Sequence, residues 1–177
     1  MPDIAAALAA IAQAECPVVV IGANALEAHG YARFTVDVDC MVAKSSVEKM
    51  SAALARHGFQ RAGGFSSFHE YWYGGKPGGM PVHVMFVDET TFEKIWTSRQ
   101  RMPSESGALH VPSAAHLIAL KLHAAKSNPK RLLKDMNDVI ALLERKADAV
   151  PKNELEKICA RYASPECILM LKEHRYL

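Results

Sequence analysis

Hydrophobic and polar positions alternate along this chain with two different periods, and the switches between them outline the fold. Ile4, Leu8 and Ile11 recur at helical spacing, Asp3 is placed to cap that helix, and Pro17 breaks it after about Ala14. The apolar run Val18 to Ile21 reads as a strand. Gly22 permits a tight turn into a short helix from Asn24 to His29, which Gly30 can close in a left-handed conformation. Val36 to Val42 reads as a second strand, and Ser45 with Glu48 forms a capping box for a helix through Arg56, ended by Gly58.

From Phe59 to Val87 the pattern turns to β. Phe68, Tyr71 and Tyr73 mark one run, Gly74 to Gly79 make a long loop, and Val82 to Val87 resume as the partner strand of an antiparallel hairpin. Thr90 and Glu93 suggest a capped helix to Arg99, and Leu109 to Val111 an edge strand. Beyond Pro112 the pattern is helical: Ser113 caps a helix to Lys126, Asn128-Pro129 opens one through Arg145, and Pro151 and Pro165 punctuate two more. The order predicts an α/β core over residues 1–111, a mixed sheet with flanking helices, followed by a helical subdomain over 112–177 packed on it.

Two charged features interrupt this pattern. Asp37 and Asp39 stand two apart in an otherwise apolar strand, so their carboxylates project from one face. Such neighbours repel unless a cation lies between them, and hard oxygen donors suit Mg²⁺ or Mn²⁺. Lys121 falls on the apolar stripe of its helix with Leu117, Leu120 and Ala124, which is unusual unless the ammonium reaches a cleft or an anion. On the next helix Leu132, Met136, Val139, Ile140 and Leu143 form the buried stripe. Asp135 borders it, whereas Asp138 lies nearly opposite and is expected to face solvent.

Taken in order, Gly22-Ala23, then His29-Gly30-Tyr31-Ala32-Arg33-Phe34-Thr35, then Asp37-Val38-Asp39, then Lys121, then Lys134-Asp135-Met136-Asn137-Asp138 resemble the nucleotidyltransferase superfamily. Small prokaryotic members, including the abortive-infection type toxins, look closest, and the resemblance spans roughly residues 17 to 143. It implies transfer of a nucleoside monophosphate from an NTP to an acceptor hydroxyl: an RNA end, a small molecule or a protein. Asp37 and Asp39 would hold Mg²⁺ or Mn²⁺, and Gly22, Ala23, Asn24, Arg33 and Thr35 would line the nucleotide site. Lys121 would offset the triphosphate charge and Asp135 would orient the acceptor or a base, in a cleft between core and helical subdomain. An antitoxin-like partner protein is the corresponding expectation for the toxin branch.

The chain departs from that pattern twice. Ala23 stands where a second Gly or a Ser is usual, and His83 stands where many members carry a third carboxylate, making it a metal-ligand candidate that favours Mn²⁺. These departures motivate an alternative, a catalytically silent relative that binds nucleotide or a partner protein.

Composition adds limits rather than chemistry. With 177 residues, 50% of them hydrophobic and 23% charged, the chain is long enough for a real core and is not compositionally disordered. A formal charge of +2 is too small to argue for nucleic-acid binding, although Lys121, Lys126, Lys130, Arg131 and Lys134 concentrate positive charge locally. Cys16, Cys40, Cys159 and Cys167 lack zinc-ligand spacing and read as free thiols of a cytoplasmic protein. Ile4 to Ala12 has no basic flank and reads as a helix rather than a leader, and no apolar run is long enough to predict a membrane span.

Overall fold

The computed structural model describes residues 4–76, 78–102, 104–105 and 107–177. Asp3, the expected first cap, and Pro77 of the glycine-rich loop lie outside them. The chain forms two compact units, one of Met1–Ala28 with Ala32–Pro112, the other of His29–Tyr31 with Ser113–Leu177.

The first unit is built on a five-stranded sheet. Helix α1 (Ile4–Ala12) buries Ala7, Leu8, Ala10 and Ile11, and strand β1 (Val19–Ile21) is buried along its whole length. Gly22, at φ +67°, turns the chain directly into α2 (Gly22–Ala28). Strand β2 covers Val38–Ala43, two residues shorter at its start than the hydrophobic pattern predicts, so Asp37 stands in the segment entering the strand. A 3₁₀ turn over Lys44–Ser46 precedes α3 (Val47–Arg56). The expected Ser45 capping box gives way to that turn: Ser46 occupies the cap without a side-chain bond, and the Ser45 backbone N–H donates to Glu89 Oε1 at 3.1 Å.

Strands β3 (Phe59–Phe65), β4 (Phe68–Tyr73) and β5 (Val82–Val87) complete the sheet in the order β1-β2-β5-β4-β3. Among the described residues of this sheet the central β2–β5 pair is parallel and the other pairs are antiparallel. A parallel pair needs a crossover, and α3, β3 and β4 all lie within it. The tight β3–β4 hairpin adds a strand to the single hairpin predicted from sequence. Val38, Cys40, Val42, Val84, Tyr71 and Phe59 share a core with Met50 and Leu54 of α3, all essentially inaccessible.

Helix α4 (Glu89–Thr97) starts earlier than the Thr90 signal, because Asp88 caps it by accepting from the Thr91 N–H at 2.9 Å and hydroxyl at 2.7 Å. Strand β7 (Leu109–Val111) pairs with β6 (Gln100–Met102) in a separate two-stranded sheet.

The second unit is helical: α5 (Ala114–Ser127), α6 (Leu132–Arg145), α7 (Lys152–Tyr162) and α8 (Pro165–Glu173). Ser113 and Ser164 cap α5 and α8 through their hydroxyls. The Gly30 carbonyl accepts from Arg145 Nε at 3.1 Å, and the Arg145 guanidinium lies 5.0 Å from the centre of the Tyr31 ring, which ties residues 29–31 to this unit. Helix α6 packs against both α5 and α8. Asp138 is only 1% exposed, contrary to its expected solvent position, and its Oδ2 lies 2.7 Å from Nζ of Lys121 on α5. The four cysteines are free, and no helix among the described residues is long and apolar enough to cross a membrane.

Candidate functional site

A transverse row of side chains runs across the sheet of the first unit. Strand pairing sets Ile21 of β1 beside Asp39 of β2, Asp39 beside His83 of β5, His83 beside Glu70 of β4, and Glu70 beside Gly63 of β3. Directly paired residues share a face, so Asp39, His83 and Glu70 project on the same side. His83 Nδ1 lies 3.0 Å from Asp39 Oδ1 and 3.9 Å from Asp37 Oδ2. One ligand atom each from Asp37, Asp39 and His83 falls within 4.8 Å of the others, and all three side chains are about 30% exposed.

Asp37 owes its position to its neighbours, since no strand ladder fixes it. The Thr35 hydroxyl donates to Asp37 Oδ1, and Asn24, buried in α2, directs its amide at the Asp37 carbonyl at 3.5 Å. Gly22 allows the closest approach. A Cβ added there would collide with Asp39 Oδ2, and the positive φ already disfavours any side chain. Beside this group opens a cavity of about 610 Å³ lined by Ala23, Asn24, Arg33, Phe34, Thr35 and Val36 among others. Phe34 is 87% exposed, an unusual state for an aromatic ring.

Electrostatics follow from the geometry. The hydrogen bond to Asp39 holds the His83 pKa above its ordinary value, against the opposing effect of burial, and the charges of Asp39, Asp37 and Glu70 add to the rise. Protonation of His83 beside the two carboxylates is thereby easier than for an ordinary imidazole. The same donors, two carboxylates and an imidazole nitrogen in close reach and half open to solvent, fit a divalent ion of intermediate softness such as Mn²⁺.

Lys121 and Asp135 form a second grouping, inside the helical unit. Lys121 is only 5% exposed, and its Nζ lies 2.7 Å from Asp138 Oδ2 and 3.2 Å from Asp135 Oδ1. Arg131 closes on Asp135 from the preceding turn, with Nε 2.8 Å from Oδ2 and Nη2 3.2 Å from Oδ1. Here the lysine on an apolar stripe is matched by two buried carboxylates of the neighbouring helix.

Sequence reasoning passed over Glu70 and turned Asp138 toward solvent. Glu70 sits among Phe68, His69, Tyr71 and Trp72, whose aromatic character points to packing; an acid amid that alternation was the available signal. Of those aromatics Tyr71 is buried in the core, whereas the Trp72 indole N–H donates to Glu70 Oε1 at 2.5 Å.

No protein-family model matches the chain, and no curated relative matches it. Solved structures do. The solution structure of the antibiotic-resistance factor ANT(2'')-Ia superimposes with a TM-score of 0.66 at 13% identity, covering 96% of this chain and 94% of that one. The crystal structure of ANT(2'')-Ia in complex with adenylyl-2''-tobramycin gives a TM-score of 0.63 at 13% identity, over 88% and 91% of the two chains. An antigenic nucleotidyltransferase-like protein from Paracoccidioides brasiliensis gives 0.57 at 14% identity, over 96% and 86%. At such identities the likeness establishes the fold, which is nucleotidyltransferase-like.

Proposed function

We propose that this nucleotidyltransferase-like fold transfers a nucleoside monophosphate from an NTP to an acceptor hydroxyl with release of pyrophosphate, using a divalent cation held by Asp37, Asp39 and His83. The observation that carries the reading is the register of β2 and β5, which brings His83 to the Asp37–Asp39 pair from 44 residues away. Two carboxylates on one face are common; a third donor converging on them across a parallel pair is the more specific arrangement.

The chemistry a bound ion supplies is positive charge against the phosphoryl oxygens as the α-phosphorus is attacked. The residues of the chain provide the rest. Thr35 and Asn24 hold Asp37 in place, so its carboxylate need not be ordered when substrate arrives. Gly22 keeps the backbone against Asp39. Arg33, on the wall of the adjoining cavity, supplies a guanidinium for a phosphate, and exposed Phe34 a face for a planar ring. Lys121 and Asp135, assigned to the triphosphate and acceptor by sequence resemblance, are proposed instead to hold the helical unit together, because each already binds the other.

One observation favours a second reading. An imidazolium at His83 can offset part of the charge of the acidic pair without any ion, as in a silent protein that binds nucleotide or a partner. Thermal-shift measurements with each of the four NTPs, alone and with Mg²⁺ or Mn²⁺, separate the two, because a ligand of the native state raises its apparent stability by mass action. Stabilisation by NTP only with metal supports the transferase; stabilisation indifferent to metal supports the silent binder; none with any NTP rejects both nucleotide readings. In the same format the wild type is expected to prefer Mn²⁺, and His83→Asp to move the preference toward Mg²⁺ as an oxygen donor replaces nitrogen. An unchanged preference would remove His83 from the ligand set.

A further inference from the structure

We propose that Glu70 is the residue that takes the proton from the attacking acceptor hydroxyl, an assignment that rests on the transferase reading above. In the transverse row it is the next side chain after His83, paired with it across β4 and β5 and projecting on the same face as Asp39. Asp37 and Asp39 are committed to the cation and to His83, and His83 Nδ1 is engaged by Asp39. Glu70 is the remaining carboxylate of the row.

Its surroundings are those of a held, open group. The Trp72 indole N–H fixes Oε1 from the same strand, two residues on. Across on β3 stands Gly63, where even a methyl group would lie 3.7 Å from Oε2, so the missing side chain leaves room over that oxygen. A half-buried carboxylate flanked by Phe68 and Trp72 on its face of β4 is costly unless its oxygens are satisfied. The indole satisfies one of them, and a hydroxyl proton suits the other.

The step balances. The acceptor O–H proton passes to Glu70 Oε2 as the oxygen lone pair forms the bond to the α-phosphorus. The bond from the α-phosphorus to the bridging oxygen breaks, its electron pair leaves with pyrophosphate, and Glu70 afterwards returns the proton to water.

The test uses the whole chain with Mn²⁺ and each NTP, following pyrophosphate release with ethanol or trifluoroethanol as surrogate acceptors. Glu70→Gln keeps the shape and an acceptor for the Trp72 N–H. It is expected to lower kcat with ethanol by about 10²–10⁴-fold, and far less with the more acidic trifluoroethanol, which needs little help losing its proton. Calorimetric Mn²⁺ affinity and melting temperature should stay at wild-type values, and Glu70→Asp should recover part of the rate with ethanol. An unchanged kcat, or equal losses with both alcohols, would overturn the assignment; lost Mn²⁺ affinity would make Glu70 a ligand instead. A wild type that releases no pyrophosphate would overturn the transferase reading itself, a different failure from an active wild type matched by an active Glu70→Gln.

Discussion

Replacing Lys121 by methionine is expected to cost about 3–5 kcal/mol of stability, the range for removing one partner from a buried ion pair. Asp135 and Asp138 are essentially inaccessible, and Lys121 Nζ lies within salt-bridge distance of both. Methionine fills the apolar part of the lysine site but leaves two carboxylates with less countercharge. Arg131 binds Asp135 from a side chain that is 45% exposed, so it replaces a buried countercharge incompletely. At roughly 2–4 °C per kcal/mol for a chain of this size, the melting temperature should fall by roughly 6–20 °C. Adding Asp138→Asn should restore part of the loss, since the double variant removes one buried negative charge together with the lysine that faced it. Urea unfolding followed by circular dichroism checks both variants. A Lys121→Met protein that melts like wild type and has lost NTP binding would return the ammonium to the triphosphate.

The second large effect is expected at Asp39. Asp39→Asn removes a charged donor from the Asp37, Asp39 and His83 group and should weaken Mn²⁺ binding by about 100-fold or more, since even outer-shell changes cost 10- to 100-fold. Metal-dependent nucleotide binding should vanish with it. The effect on stability depends on pH, and its sign follows from His83. Because the folded pKa of His83 is raised, its contact with Asp39 stabilises the metal-free fold fully below the unfolded value of about 6.5 and is lost as pH rises through the higher folded value. Asp39→Asn should therefore melt lower than wild type in mildly acidic buffer. In alkaline buffer, where the imidazole is neutral and the two carboxylates repel, it should be at least as stable. Equal destabilisation at both ends would mark Asp39 as structural, and wild-type Mn²⁺ affinity would remove it from the cation site.

The helices and the central strands were legible because their signals are local. Ser113 before an apolar stripe, Asn128-Pro129 and Gly30 each carry their structural reason within a few residues. Asp37 and Asp39 were legible as a pair for the same cause. What sequence order cannot carry is pairing across the sheet. His83 was reached from the sequence through the family resemblance alone; the β2–β5 register is what sets it, and not Asp88 or Glu89, beside the acidic pair, while Asp88 caps α4 and Glu89 binds the Ser45 backbone. Glu70 was hidden, since it becomes a neighbour of His83 only through β4–β5 pairing. Asp138 illustrates a different gap. Helical periodicity identifies the apolar stripe of α6, but Asp138 is buried off that stripe beside Lys121 of α5, a partner that only tertiary packing supplies.

The 44-residue separation of Asp39 and His83 has a kinetic side. Closing a flexible loop of that length costs roughly 3 kcal/mol of chain entropy, by the logarithmic length dependence, before any contact across it repays the cost. The parallel β2–β5 pair closes a stretch of chain that carries α3, β3 and β4, so it belongs to the slow, non-local part of folding. An unfolded or half-synthesised chain then offers a cation only the adjacent Asp37 and Asp39, without the imidazole. A cation would join late, after the sheet has closed, and its principal kinetic effect would be to slow unfolding rather than to hasten folding.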